Sequence, residues 1–149
     1  MDAATLPHDP HNLERFVSAQ SRVWEQVITE LREGRKHTHW MWFIFPQIAG
    51  LGHSDIAQRF AISGKEEALA YLDHAILGPR LKQATELVIK VPGRTIEQIF
   101  GYPDDLKFRS SITLFHSVAP AEEVFHQALA RYFAGKPDTA TLTLLERTR

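Results

Sequence analysis

Between Lys36 and Ser54 the chain gathers the residue types that hold flat, negatively charged molecules. Lys36, His37 and His39 come first, then Trp40, Trp42, Phe43 and Phe45, then the turn Gly50-Leu51-Gly52-His53-Ser54. Two of the three tryptophans, two of the nine phenylalanines and three of the eight histidines lie within this run. Aromatic faces stack on planar rings, and cations beside them attract phosphate or carboxylate. The same aromatics also suit a core, with a solvated basic loop beside it. The glycine turn could offer backbone N–H groups and a helix dipole to an anion, or serve as a plain loop and helix cap. It is not a dinucleotide fingerprint, because the third glycine position holds Asp55 and no strand pattern precedes it.

Other groups have narrower uses. His37 and His39 are two apart and do not share a helix face, and no carboxylate or further histidine stands at a metal-ligand distance in sequence. No metal is therefore expected, and His37, His39 and His53 read as solvated or hydrogen-bonded side chains. Each could act as a general acid or base, but no nucleophile signature accompanies them. Arg80 heads a separate helix and adds a second source of positive charge to Arg35 and Lys36. Ser110, Ser111 and Thr113 lie on a helix with apolar residues on more than one side. They need partners near the core: local carbonyls, other side chains or a ligand. Asp104 and Lys107, three apart, read as a surface pair.

These residues must be positioned by helices. Asp9-Pro10 reads as a cap and first helical residue, followed by Leu13, Phe16, Val17, Trp24, Val27, Ile28 and Leu31 at helical spacing up to Gly34. The aromatic run has no period, so helix and short strand both remain open by pattern. Among helices it reads as a helical turn running into Pro46. Ser54-Asp55 starts a short helix, and Ser63 with Glu66 forms a capping box before another. Gly78-Pro79 opens a helix ending near Pro92-Gly93, and Thr95 with Gln98 boxes a single turn. Asp104 and Asp105 sit in a first helical turn, with Asp105 spaced to pair with Arg109. Ala121 to Phe133 is amphipathic and stops at Gly135 and Pro137, and Asp138 caps a closing segment carrying Leu142 and Leu145. No period-two strand pattern or internal repeat is present.

Composition narrows the class. Apolar residues make up 44% and charged residues 23% of 149 residues, values of an ordinary globular domain. One domain, 1–149 with its core at about 9–146, is expected. The 17 basic and 18 acidic residues leave a formal net charge of -1, so no global field draws the chain to nucleic acid or an anionic membrane. There is no cysteine, which removes disulfides and thiolate chemistry. The longest apolar run, Trp40 to Phe45, is too short to span a bilayer, and Met1 to Pro10 has no secretory pattern. A cytoplasmic protein is expected.

The runs Asn12-Leu13-Glu14-Arg15-Phe16 with Gln20, His39 to Gln47, Gly50-Leu51-Gly52, Leu77-Gly78-Pro79-Arg80-Leu81 and Phe100 to Phe108 resemble the family known as domain of unknown function 1810. The resemblance runs from about Asp9 to Phe133 and implies an all-α domain, one central helix wrapped by others, with about seven to eight helices by the segment count above. Some members carry the label calpastatin, which fits poorly, since that inhibitor is disordered and this chain is patterned to fold. The resemblance also implies handling of NAD or ADP-ribose derivatives.

On that reading a base stacks on Trp40 or Trp42, phosphates lie near Gly52, Lys36 and Arg80, and chemistry falls to His39, Asp104 or Lys107. The expected ligand-binding set is Lys36, His37, His39, Trp40, Trp42, Gln47, Gly50, Gly52, Ser54, Arg80, Lys107, Ser110 and Ser111, for a small anionic, nucleotide-like molecule and no resident cofactor. Alternatives are a protein-interaction module without activity and a metal-dependent hydrolase using His37, His39 and His53.

Overall fold

The amphipathic stripe from Phe16 to Leu31 folds as the longest helix of the protein, α1 (Glu14–Glu33), closed by Gly34 at a left-handed φ of 74°. A computed structural model describes residues 9–148. Among them α1 is followed by α2 (Met41–Ile44), α3 (Asp55–Arg59), α4 (Lys65–Asp73), α5 (Leu77–Ile89), α6 (Ile96–Phe100), α7 (Asp104–Val118), α8 (Glu123–Phe133) and α9 (Thr139–Arg147). The described residues form no strand, only one parallel bridge between Ile48 and Ile62. None of these helices is long and apolar enough to cross a membrane.

Helix α7 is the central element. It packs against α2, α4, α6, α8 and α9, while α1 lies on α2 and α5. Phe108, Ile112, Leu114 and Phe115 of α7 are all fully buried, as a helix apolar around most of its circumference requires. Two chains of aromatic contacts run through the core. One links Phe125, Phe115, Tyr71, Phe16, Phe60 and Phe43. The other joins Trp40, Phe45, Phe100, Phe108 and Phe133. Edge-to-face pairs such as Phe45–Phe108, with centroids 5.0 Å apart at 87°, add orientation-dependent attraction to the area they bury.

Local capping signals account for several boundaries. Thr95 and Gln98 form the expected capping box on α6, Ser54 caps α3 and Asp138 caps α9. Three expectations need correction. Asp9 is not the N-cap of α1, which is Leu13; its carboxylate accepts from Leu13 N at 2.6 Å and Glu14 N at 3.0 Å, and α1 starts four residues later than Pro10, after Asn12 at φ 51°. The box expected of Ser63 and Glu66 does not form: Gly64 is the N-cap of α4 and no side chain caps it, while Glu67 accepts from Ser63 N and Oγ. Arg109 does not pair with Asp105. Its guanidinium donates to the carbonyls of Lys136 and Pro137 and lies 5.5 Å from the Phe133 ring, while Asp105 accepts from Leu106 N.

Gly78 marks the tightest crossing. A Cβ there would stand 2.1 Å from the Leu72 carbonyl oxygen, and a backbone atom cannot move aside as a side-chain tip can. Gly78→Ala is expected to destabilise by about 1–3 kcal/mol through overpacking, read as a lower urea midpoint with unchanged slope.

Candidate functional site

The segment leading into α2 is shaped by one buried carboxylate. Glu30, in the last turn of α1, is 2% exposed. It accepts hydrogen bonds from His37 N (2.8 Å), Thr38 N (3.1 Å), Thr38 Oγ1 (2.7 Å), Trp40 Nε1 (2.9 Å) and Gln26 Nε2 (3.1 Å). Burial alone would raise its pKa, but the donors from His37, Thr38 and Trp40 outweigh it and bring the carboxyl down to about 2. Donors aimed at a carboxylate favour its charged form. The Lys36–Trp40 segment is thereby fixed, with Lys36 N also donating to the Ile99 carbonyl at 2.8 Å.

The geometry brings Lys36 to the head of α7. Its ammonium stands 2.9 Å from Asp104 Oδ2, with the side chain 6% exposed. Lys107 approaches the other oxygen, Oδ1, at 3.5 Å. Each ammonium also lies over an indole, Lys36 at 5.2 Å from the Trp40 centroid and Lys107 at 5.3 Å from that of Trp42. One aspartate between two lysines leaves a local charge of about +1 beside an aromatic face. Lys36, Trp40, Trp42, Asp104 and Lys107, predicted from two distant parts of the sequence, thus meet at one corner.

The space behind this corner is filled. Trp40 and Phe45 are fully buried, and Phe108 closes against Phe45 and Phe100, both at 5.0 Å. Trp40 therefore offers no free face, and Trp42, half-buried, is the indole that reaches the surface. His37, His39 and His53 are all exposed. Among the described residues no group of three or more His, Asp and Glu side chains is placed to hold a metal.

The remaining predicted residues lie elsewhere. Arg80 faces α1, 5.1 Å from the Trp24 centroid and within 3.4 Å of Gln20 Oε1. There Gln20 Nε2 donates to the Tyr71 hydroxyl, and burial pushes that hydroxyl above the usual phenol range. Gln47 is half-buried, its carbonyl accepting from Ile62 N at 2.8 Å. Gly50 packs against Leu144 of α9, a Cβ on Gly52 would meet Ala57, and Ser54 Oγ accepts from Ala57 N. That turn is built as a loop and cap. Ser110 Oγ is near Leu106 O and Asp138 Oδ2, and Thr113 Oγ1 accepts from Asp138 N, so these hydroxyls brace α9. Ser111 is wholly buried with no partner for Oγ among the described residues.

Sequence reasoning missed two features. Glu30 carries no motif, since its donors converge only in the fold. A groove of about 450 Å³ between α1 and α3, lined by Arg15, Arg22, Phe43, Arg59 and Phe60 among others, was not foreseen. The repeat of Arg15, Ser18, Ala19, Arg22 and Val23 at helical spacing was its one available signal.

The chain matches the family described as "Protein of unknown function (DUF1810)" over residues 10–145. It is similar to the conserved hypothetical protein Rv1873 from Mycobacterium tuberculosis, whose crystal structure shares 54% identity at a TM-score of 0.91. The match covers 93% of this chain and 99% of that one. No curated protein matches.

Proposed function

The chain belongs to the DUF1810 family, and from the corner at the head of α7 we propose that it binds a small anionic, nucleotide-like ligand of the NAD or ADP-ribose class. One observation carries the reading: two lysines, each over a tryptophan ring, bracket a single carboxylate. The base would stack on the exposed part of Trp42, and the phosphates would draw Lys107 from its long contact with Asp104. Of the catalytic candidates, Asp104 and Lys107 meet here, and His39 is exposed on the loop leading to Trp40. A cysteine-free chain suits the reducing cytoplasm, where we place it as one domain.

Thermal denaturation against NAD, ADP-ribose and common nucleotides tests the reading. A true ligand at a hundred times its dissociation constant is expected to stabilise by about 2.7 kcal/mol, and Lys107→Glu to lose that gain. A flat response across the panel would overturn it. Tyr102 and Leu106, 74% and 48% exposed beside this corner, favour a second reading as a protein-interaction surface. Tyr102→Ser would weaken partner binding on that reading and leave ADP-ribose binding intact on the first.

A further inference from the structure

We propose that the groove between α1 and α3 is a separate binding site for a small organic phosphate carrying an apolar body. The groove has a volume of about 450 Å³, within the range of sites that enclose small molecules. Val23, Phe43, Ile56 and Phe60 give it apolar walls, and Arg22 and Arg59 are its outer cations. Phe43 and Phe60 are 9% and 4% exposed, whereas Ile56 is 36% exposed, so the floor is apolar and largely covered while one side remains open.

The three arginines of the groove have different tasks. Arg15 is committed to the fold: its guanidinium donates to the carbonyls of His11, Asn12, Arg59 and Ala61 and pairs with Glu67 at 2.8 Å. It ties α1 to the end of α3 and the start of α4, so the groove exists without a ligand. Arg22 and Arg59 make no ion pair among the described residues. Arg59 rests 5.2 Å from the Phe60 centroid, its donors left for a guest. The acidic side chain of the groove, Glu14, accepts from Ser18 Oγ at 2.9 Å and lies more than two turns of α1 from Arg22.

Charge and shape select the occupant. Two uncommitted guanidiniums match a doubly charged phosphate monoester, whose oxygens accept forked N–H donors in pairs. The apolar walls add a gain that inorganic phosphate cannot collect. Trp42 and Phe43 are neighbours in α2 yet serve opposite sides, Trp42 meeting Lys107 of α7 and Phe43 walling the groove. The two sites are therefore independent.

Isothermal titration with phenyl phosphate, with inorganic phosphate and with benzyl alcohol tests the proposal. Phenyl phosphate is expected to bind saturably, with either fragment about tenfold weaker or more. The double variant Arg22→Glu/Arg59→Glu is expected to lose about tenfold or more in affinity. Ile56→Asp, at a half-open position, weakens it similarly through the apolar wall. Lys107→Glu is expected to leave the affinity within about twofold, as distant sites are additive. Circular dichroism melts check that each variant is folded. Absence of saturable heat with phenyl phosphate, or an affinity that follows Lys107 and ignores Arg22 and Arg59, would overturn the proposal.

Discussion

Glu30→Ala is expected to destabilise the protein by about 3–5 kcal/mol, since it leaves the buried Trp40 indole donor and two partly buried backbone donors without their acceptor. The N–H groups of His37 and Thr38 and the Trp40 indole all depend on this one carboxylate. Glu30→Gln restores one acceptor oxygen but turns an amide toward existing donors, so it should recover only part of the loss. The ionised form is what the site stabilises. The converging donors hold the carboxyl down at about 2, against an ordinary glutamate value of 4.5, so its contribution is about 3 kcal/mol when fully ionised.

A depressed carboxylate pKa fixes the sign. The contribution is complete above the unfolded value of 4.5 and is lost as pH falls from there toward about 2. Urea unfolding at neutral pH and in that acid window should show wild type weakening more steeply than Glu30→Gln. Parallel curves for the two proteins would mean that Glu30 is not the acceptor described.

Phe108→Ala is the second large effect, expected at about 3–5 kcal/mol from lost burial and the cavity left behind. The ring is fully buried and stands 5.0 Å from Phe45, 5.0 Å from Phe100 and 6.3 Å from Phe133. It is the residue by which the central helix wedges into the aromatic run, one position after Lys107. Phe108→Leu keeps most of the volume and should cost less than about 1.5 kcal/mol. Guanidinium unfolding of the three proteins reads the difference. A loss below about 1 kcal/mol for the alanine variant would show that the site collapses around the gap.

What could be read from the chain followed the range of each signal. The Thr95–Gln98 box and the Asp138 cap need only neighbouring residues, so they were legible. The start of α1 was not, because the left-handed turn at Asn12 is a choice asparagine makes in context. The aromatic run lacked a period for a physical reason: its side chains diverge. Trp40 and Phe45 enter the core, Trp42 meets Lys107, and Phe43 walls the groove with Phe60. The pairing of Lys36 with Asp104 joins residues far apart in sequence, and only the packing of α7 against the loop before α2 brings them together. Arg80 read as a third cation for that site because helix position alone does not say which face a neighbour covers. In the fold it lies on Trp24.

The most direct measurement of the central claim is a tryptophan-fluorescence titration with ADP-ribose on wild type, Trp42→Phe and Lys107→Glu. The lysine and tryptophan corner predicts a saturable change in wild type, its loss in Trp42→Phe, and an affinity about tenfold weaker or worse in Lys107→Glu. A response that is absent in wild type, or that survives unchanged in both variants, would contradict it.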